Sequence, residues 1–89
     1  VTIEFDKSFA KSLDKIKNKS LYAKIEKLIL ELEKSDSIQD LASIKKLTGF
    51  KSYYRIRIGE YRIGLEKINE NTFRFLIVAH RKDIYKLFP

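Results

Sequence analysis

The sequence predicts an α+β domain in which an N-terminal strand and two helices pack on an antiparallel β-sheet meander. Three observations predict it: apolar and polar residues alternate over Val1–Phe5, two stripes of helical period run between Phe9 and Leu32, and three β-rich runs follow in close succession from Tyr53 to His80. With 89 residues the chain forms one domain, residues 1–89, built on a single modest core.

Val1 to Phe5 reads as a half-buried edge strand. Asp6 offers an N-cap, and Phe9, Ala10, Leu13 and Ile16 then mark one face of a short helix. Asn18 to Ser20 interrupts it. A second helix is expected from about Ser20 to Lys34, with Leu21, Ile25, Leu28, Ile29 and Leu32 inward and Lys24, Lys27, Glu31 and Lys34 in water. Ser35 to Asp40 is polar, a loop or helical turn; Leu41 to Leu47 leads back toward the sheet, and Thr48-Gly49 marks a turn. Strands are expected at Tyr53–Ile58, Tyr61–Lys67 and Thr72–His80. The run Phe73 to Ala79 is almost continuously apolar, as suits a central strand covered on both faces. Asp83 to Leu87 forms a last helical turn.

Composition removes several chemistries. The chain has no cysteine and one histidine, so it carries no disulfide or thiolate metal site and leaves zinc almost no ligands. Acids in the second half are too few and scattered for a two-metal nuclease, and there is no glycine-rich phosphate loop. No apolar run is long enough to cross a bilayer and VTIEFDKSFA is too polar for a signal peptide, so a cytoplasmic protein is expected.

The net charge of +7 is unevenly placed: residues 1–44 hold eight lysines and eight acids, whereas residues 45–89 hold eleven Lys and Arg against four acids. All five arginines lie in that second half. A guanidinium matches phosphate oxygens with a planar fork, so the excess points to a polyanion, and to nucleic acid first. The hairpin YYRIRIGEYRIG concentrates the effect. With Gly59-Glu60 as a type II′ turn, Ile58 pairs with Tyr61, Arg57 with Arg62, Ile56 with Ile63 and Arg55 with Gly64. Period two sends Tyr54, Ile56, Ile58, Tyr61, Ile63 and Leu65 to the core and Arg55, Arg57, Arg62 and Gly64 to the other face. Like charges facing each other repel unless an anion sits among them. Glu66 is the one acid expected nearby, at the patch edge, and Gly64 is expected to leave room beside Arg55 for a ligand backbone. His80, with the only side chain whose ordinary pKa suits proton transfer near neutrality, precedes Arg81 at the end of the last strand, and Tyr85 follows.

The element order, together with LTGFKSYYRIRIGEYRIGLE and VAHRKDIY, resembles the RelE/ParE toxin superfamily of toxin–antitoxin modules, and most of all the RelE-like mRNA endonucleases. The resemblance implies a toxin that cuts mRNA in the ribosomal A site without metal or cofactor. The ribose 2′-hydroxyl attacks the adjacent phosphate and a 2′,3′-cyclic phosphate results. It further implies phosphate-holding roles for Arg55, Arg57, Arg62 and Arg81, a stacking or leaving-group role for Tyr85, and a wider nucleic-acid surface through Lys45, Lys46, Lys51, Arg74 and Lys82. Some members carry lysines at the positions of Arg55 and Arg57. A guanidinium does not give up its proton, so these two arginines are assigned to clamping and His80 to acid or base work. A cognate antitoxin partner is implied as well, with Tyr22, Leu30, Leu87 and Phe88 available to widen its docking surface. Two alternatives stay open on the same fold, a ParE-like DNA gyrase poison and a non-catalytic RNA-binding module.

Overall fold

The computed structural model describes residues 1–38, 41 and 43–89. Strand β1 (Thr2–Phe5) leads into helices α1 (Lys7–Asp14) and α2 (Lys19–Lys34). Strands β2 (Ile44–Lys46), β3 (Tyr53–Ile58), β4 (Tyr61–Asn69) and β5 (Thr72–His80) follow, and a short helix α3 (Ile84–Leu87) closes the chain. One five-stranded sheet results, ordered β1-β5-β4-β3-β2, antiparallel except where β1 runs parallel to β5.

The expected architecture is present, with instructive differences at the ends of elements. The Asp6 carboxylate accepts the Ser8 N–H at 3.0 Å and starts α1. Asn18, read as part of an interruption, is the cap of α2: its Oδ1 accepts the Leu21 N–H at 3.0 Å, so the helix begins at Lys19. β4 runs two residues past its expected end, to Asn69. The expectations for Ser35–Asp40 and Leu41–Leu47 fall partly on Gln39, Asp40 and Ala42, which lie outside the described residues. Within the second stretch the sheet gains a strand the sequence did not announce, β2, only three residues long.

One face of the sheet carries the main core. Leu21, Ile25, Leu28 and Leu32 of α2 and Phe9 of α1 pack against Ile3, Tyr54, Ile56, Ile58, Ile63, Leu65, Phe73, Phe75 and Val78. Phe5, Phe9 and Phe75 meet with ring centroids 5.4 to 5.7 Å apart. Burying a side chain the size of Phe75 stabilises the fold by roughly 1.5–3 kcal/mol. The other face carries a satellite cluster, Leu47, Ala79, Ile84 and Phe88, under α3. This second cluster explains why β5 is apolar on both sides.

β1 pairs with Thr72–Phe75, so among the described residues the outer edge of β5 beyond Phe75 meets α1 and no strand. Two serines of that helix serve it: the Ser8 hydroxyl lies 2.5 Å from both the Asp6 carboxylate and the Leu76 carbonyl, and the Val78 N–H donates to Ser12 Oγ at 3.0 Å. Among the described residues no helix is long and apolar enough to cross a membrane.

Candidate active site

The β3–β4 hairpin has the register that its alternation predicts: Ile58 faces Tyr61, Arg57 faces Arg62, Ile56 faces Ile63 and Arg55 faces Gly64. Gly59 takes φ +61° and Glu60 keeps a negative φ, the combination of a type II′ turn. The isoleucines point into the core and the arginines share the opposite face. β2 then adds a row beyond β3, with Lys45 directly opposite Arg55. The result is a depression of about 360 Å³ lined by Ser43, Ile44, Lys45, Arg55, Arg57, Arg62 and Tyr85. Among the described residues its lining holds four cations and no acid.

α3 brings Tyr85 to this depression. Its ring stands over the Arg55 guanidinium, 4.6 Å from carbon to centroid, and is otherwise 74% exposed. Arg62 spends one nitrogen on the turn: Nη1 donates to the Gly59 and Tyr61 carbonyls at 3.0 and 2.8 Å, which fixes its fork at the rim. These contacts orient Arg55 and Arg62 before a ligand arrives.

The remaining expected site residues are placed elsewhere. Arg81 does not line the depression. Its Nε lies 2.9 Å from Glu60 Oε2, and its N–H donates to the Glu60 carbonyl at 2.8 Å. Glu60 at the turn tip, not Glu66, is therefore the acid that meets an arginine of this region; Glu66 sits across from Tyr53 and Arg74, farther along the sheet. His80 pairs with Tyr61 in the β4–β5 register, while Arg62 pairs with Ala79, so His80 and Arg62 leave the sheet on opposite faces. The imidazole packs edge-on to Tyr61 at 5.6 Å, accepts the Lys82 N–H on Nδ1 at 3.2 Å, and turns Nε2 toward Glu60, 3.9 Å away. It opens onto a larger and mainly apolar cavity of about 840 Å³ between α1, α3 and the β5 edge. That cavity holds only one end of the expected chemistry and none of the arginine cluster.

Among the wider basic residues, Lys45 lines the depression and Lys46 lines an adjoining one of about 330 Å³ with Arg55, Tyr85 and Phe88. Arg74 is engaged by Glu4, with Nη2 and Nε at 3.0 and 3.2 Å from Oε1. Lys51 and Lys82 are exposed and line neither depression. Gly64 is a correction: the space beside Arg55 is not open, because the Phe88 ring fills it, with a would-be Gly64 Cβ 2.6 Å from Phe88 Cγ. Phe88 is accordingly buried, at 6% exposure, and does not join Tyr22, Leu30 and Leu87 as exposed apolar surface.

The family model of the ParE toxin of type II toxin–antitoxin systems, parDE, matches residues 3–85. Toxin RelE3 of Methanocaldococcus jannaschii is 44% identical over 86 residues, which are 96% of this chain and 96% of that toxin. The chain belongs to the RelE/ParE superfamily of type II toxins. In the crystal structure of the RelB–RelE antitoxin–toxin complex from Methanococcus jannaschii, one chain superposes with a TM-score of 0.81 at 41% identity, covering 97% of this chain and 99% of that one. The toxin–antitoxin complex RelBE2 from Mycobacterium tuberculosis gives a TM-score of 0.68 at 25% identity, with 92% of each chain covered. The superfamily reading made from the hairpin and tail motifs is thereby shown, and so is the fold.

Sequence reasoning missed the contribution of β2, which sets Lys45 beside Arg55, and the anchoring of Phe88. The first left a faint trace in Ile44-Lys45-Lys46, one apolar residue followed by two cations. The second left none, since it joins positions 64 and 88.

Proposed function

We propose that this toxin is a metal-independent endoribonuclease that cuts mRNA in the ribosomal A site. The observation that carries the reading is the depression that gathers Lys45, Arg55, Arg57 and Arg62 under the Tyr85 ring, with no acid among the described residues that line it. Like charges gathered on one face destabilise the folded protein unless an anion joins them, and guanidinium forks match phosphate oxygens. The 44% identity to a RelE toxin supports the RNase branch over a gyrase poison.

The reaction needs little beyond positioning and charge. The 2′-oxygen attacks phosphorus, the bond from phosphorus to the 5′-oxygen breaks, and a 2′,3′-cyclic phosphate and a free 5′-hydroxyl result. Arg55, Arg57 and Arg62 bind the non-bridging oxygens, whose negative charge grows in the transition state. The attacking hydroxyl loses its proton to water, and the leaving oxygen takes one from the Lys45 ammonium or the Tyr85 phenol. The guanidinium groups hold theirs throughout. Tyr85 also offers a face on which an unpaired base stacks.

The solved relatives that are toxin–antitoxin complexes support a cognate antitoxin as the second partner, and the basic second half of the chain suits an acidic segment of it. Primer extension on translated mRNA, with and without the toxin, tests the reading. Cuts at A-site codons that disappear in Arg55→Ala bear it out. A lack of cuts accompanied by double-strand breaks in DNA assigns the chain to the gyrase-poisoning branch instead.

A further inference from the structure

We propose that Phe88, seated on Gly64, is the residue that positions Tyr85 over Arg55. The consequence for RNA cleavage rests on the function proposed above; the positioning itself does not.

Helix α3 has four residues, too few to hold their own conformation, since a helix of that length has not recovered the cost of its first turn. Tyr85 does little to fix it, being exposed apart from its contact with Arg55. The anchors are the residues on either side. Ile84 is fully buried, and Phe88 donates its N–H to the Ile84 carbonyl at 2.9 Å, which closes the turn. The Phe88 ring packs edge-on to Tyr53 at 5.3 Å, and Tyr53 in turn meets Phe50 at 5.7 Å.

Gly64 explains why this seat exists. Its φ is not positive, so the backbone there accepts any residue. A β-carbon on it meets three carbons of the Phe88 ring at 2.6 to 2.8 Å, closer than packed atoms come. The glycine is required by the ring and not by the strand. Gly64 is also the cross-strand partner of Arg55. The seat and the guanidinium under Tyr85 are thus neighbours on one rung of the sheet, and a shift at the seat reaches the Tyr85 contact through a single turn of helix.

Two measurements on the whole toxin decide the matter. The first is the NMR position of the Arg55 side-chain protons, which the Tyr85 ring current moves upfield and which Tyr85→Ala resets. Phe88→Ala is expected to reset them to the Tyr85→Ala position, Gly64→Ala to do the same, and Phe88→Leu to restore part of the shift, with amides of the main core unchanged. Should Phe88→Ala fail to fold, Phe88→Leu and Gly64→Ala carry the comparison. Arg55 protons that stay at the wild-type position in these variants overturn the proposal.

The second is cleavage of translated mRNA. Phe88→Ala and Tyr85→Ala are expected to lose the same factor, about 10²-fold if stacking geometry is lost, and the double variant no more than either. A further loss in the double variant means that Phe88 acts by another route and also overturns the proposal. A wild-type toxin that does not cleave removes the proposed function and leaves the NMR comparison to stand on its own.

Discussion

The guanidinium of Arg55 lies beneath the ring of Tyr85, 4.6 Å from carbon to centroid, and this stack joins the hairpin to the C-terminal helix. An exposed cation–π pair contributes about 0.5–1 kcal/mol, too little to fix the tail but enough to orient a ring already brought there. Arg55 therefore both faces the depression and presents the aromatic. Arg55→Ala is expected to lower kcat/KM for mRNA cleavage by about 10²–10³-fold, as loss of a preorganised donor does. Tyr85→Phe, which keeps the stack, is expected to retain KM. Steady-state kinetics on ribosome-bound message check both.

Lys45 and Tyr85 are separable as proton donors. Lys45→Arg keeps the charge beside Arg55 but replaces the ammonium by a guanidinium that does not give up its proton, and Tyr85→Phe keeps the ring without the hydroxyl. Whichever donates to the leaving oxygen is expected to lose about 10²-fold in kcat with KM unchanged. The other stays near wild type, and single-turnover rates of the two variants distinguish them.

Arg81 and His80 are expected to matter less than their motif suggests. Glu60 holds Arg81, and the imidazole stands on the far side of the sheet from Arg62. Arg81→Ala should therefore cost cleavage less than Arg57→Ala does, and His80→Ala should leave it within about twofold, the scale of a surface substitution. The pair of Glu60 with Arg81 is exposed, at 65% and 55% of the side chains, so its loss changes stability by only about 0.2–1 kcal/mol. Parallel cleavage assays and urea melts of the three variants check these values.

Asp6 gives the fold a pH dependence of known sign. Hydrogen bonds from the Ser8 hydroxyl and then the Ser8 N–H hold its carboxyl below the ordinary carboxylate range. A group with a depressed folded pKa stabilises the native state above its unfolded pKa, and that contribution disappears as pH falls through the folded value. Asp6→Ala is therefore expected to lower the urea midpoint at pH 7, and the gap to wild type should close as pH falls below the ordinary carboxylate range. A gap that persists in acid contradicts the assignment.

The hairpin was legible because two local rules agree there: period two fixes the faces and Gly59 fixes the turn. Together they place Arg55, Arg57 and Arg62 on one surface from the sequence alone. Arg81 looked equivalent in the sequence, and it differs only because the β4–β5 register carries the end of β5 back to Glu60. β2 escaped notice for a different reason. Three residues pairing along one side of β3 bury little, so no apolar period announces them. The Phe88 seat is a contact between distant positions, and an open Gly64 and a filled one read the same in one dimension.

The serines of α1 stand where a second strand would have to add to β5. A strand edge with free amides and carbonyls invites a second molecule to continue the sheet. Here the first polar groups beyond Phe75 are met by Ser8 and Ser12, so the helix occupies the place a foreign strand needs. Small hydroxyls thereby close the open edge of the very strand that anchors the core.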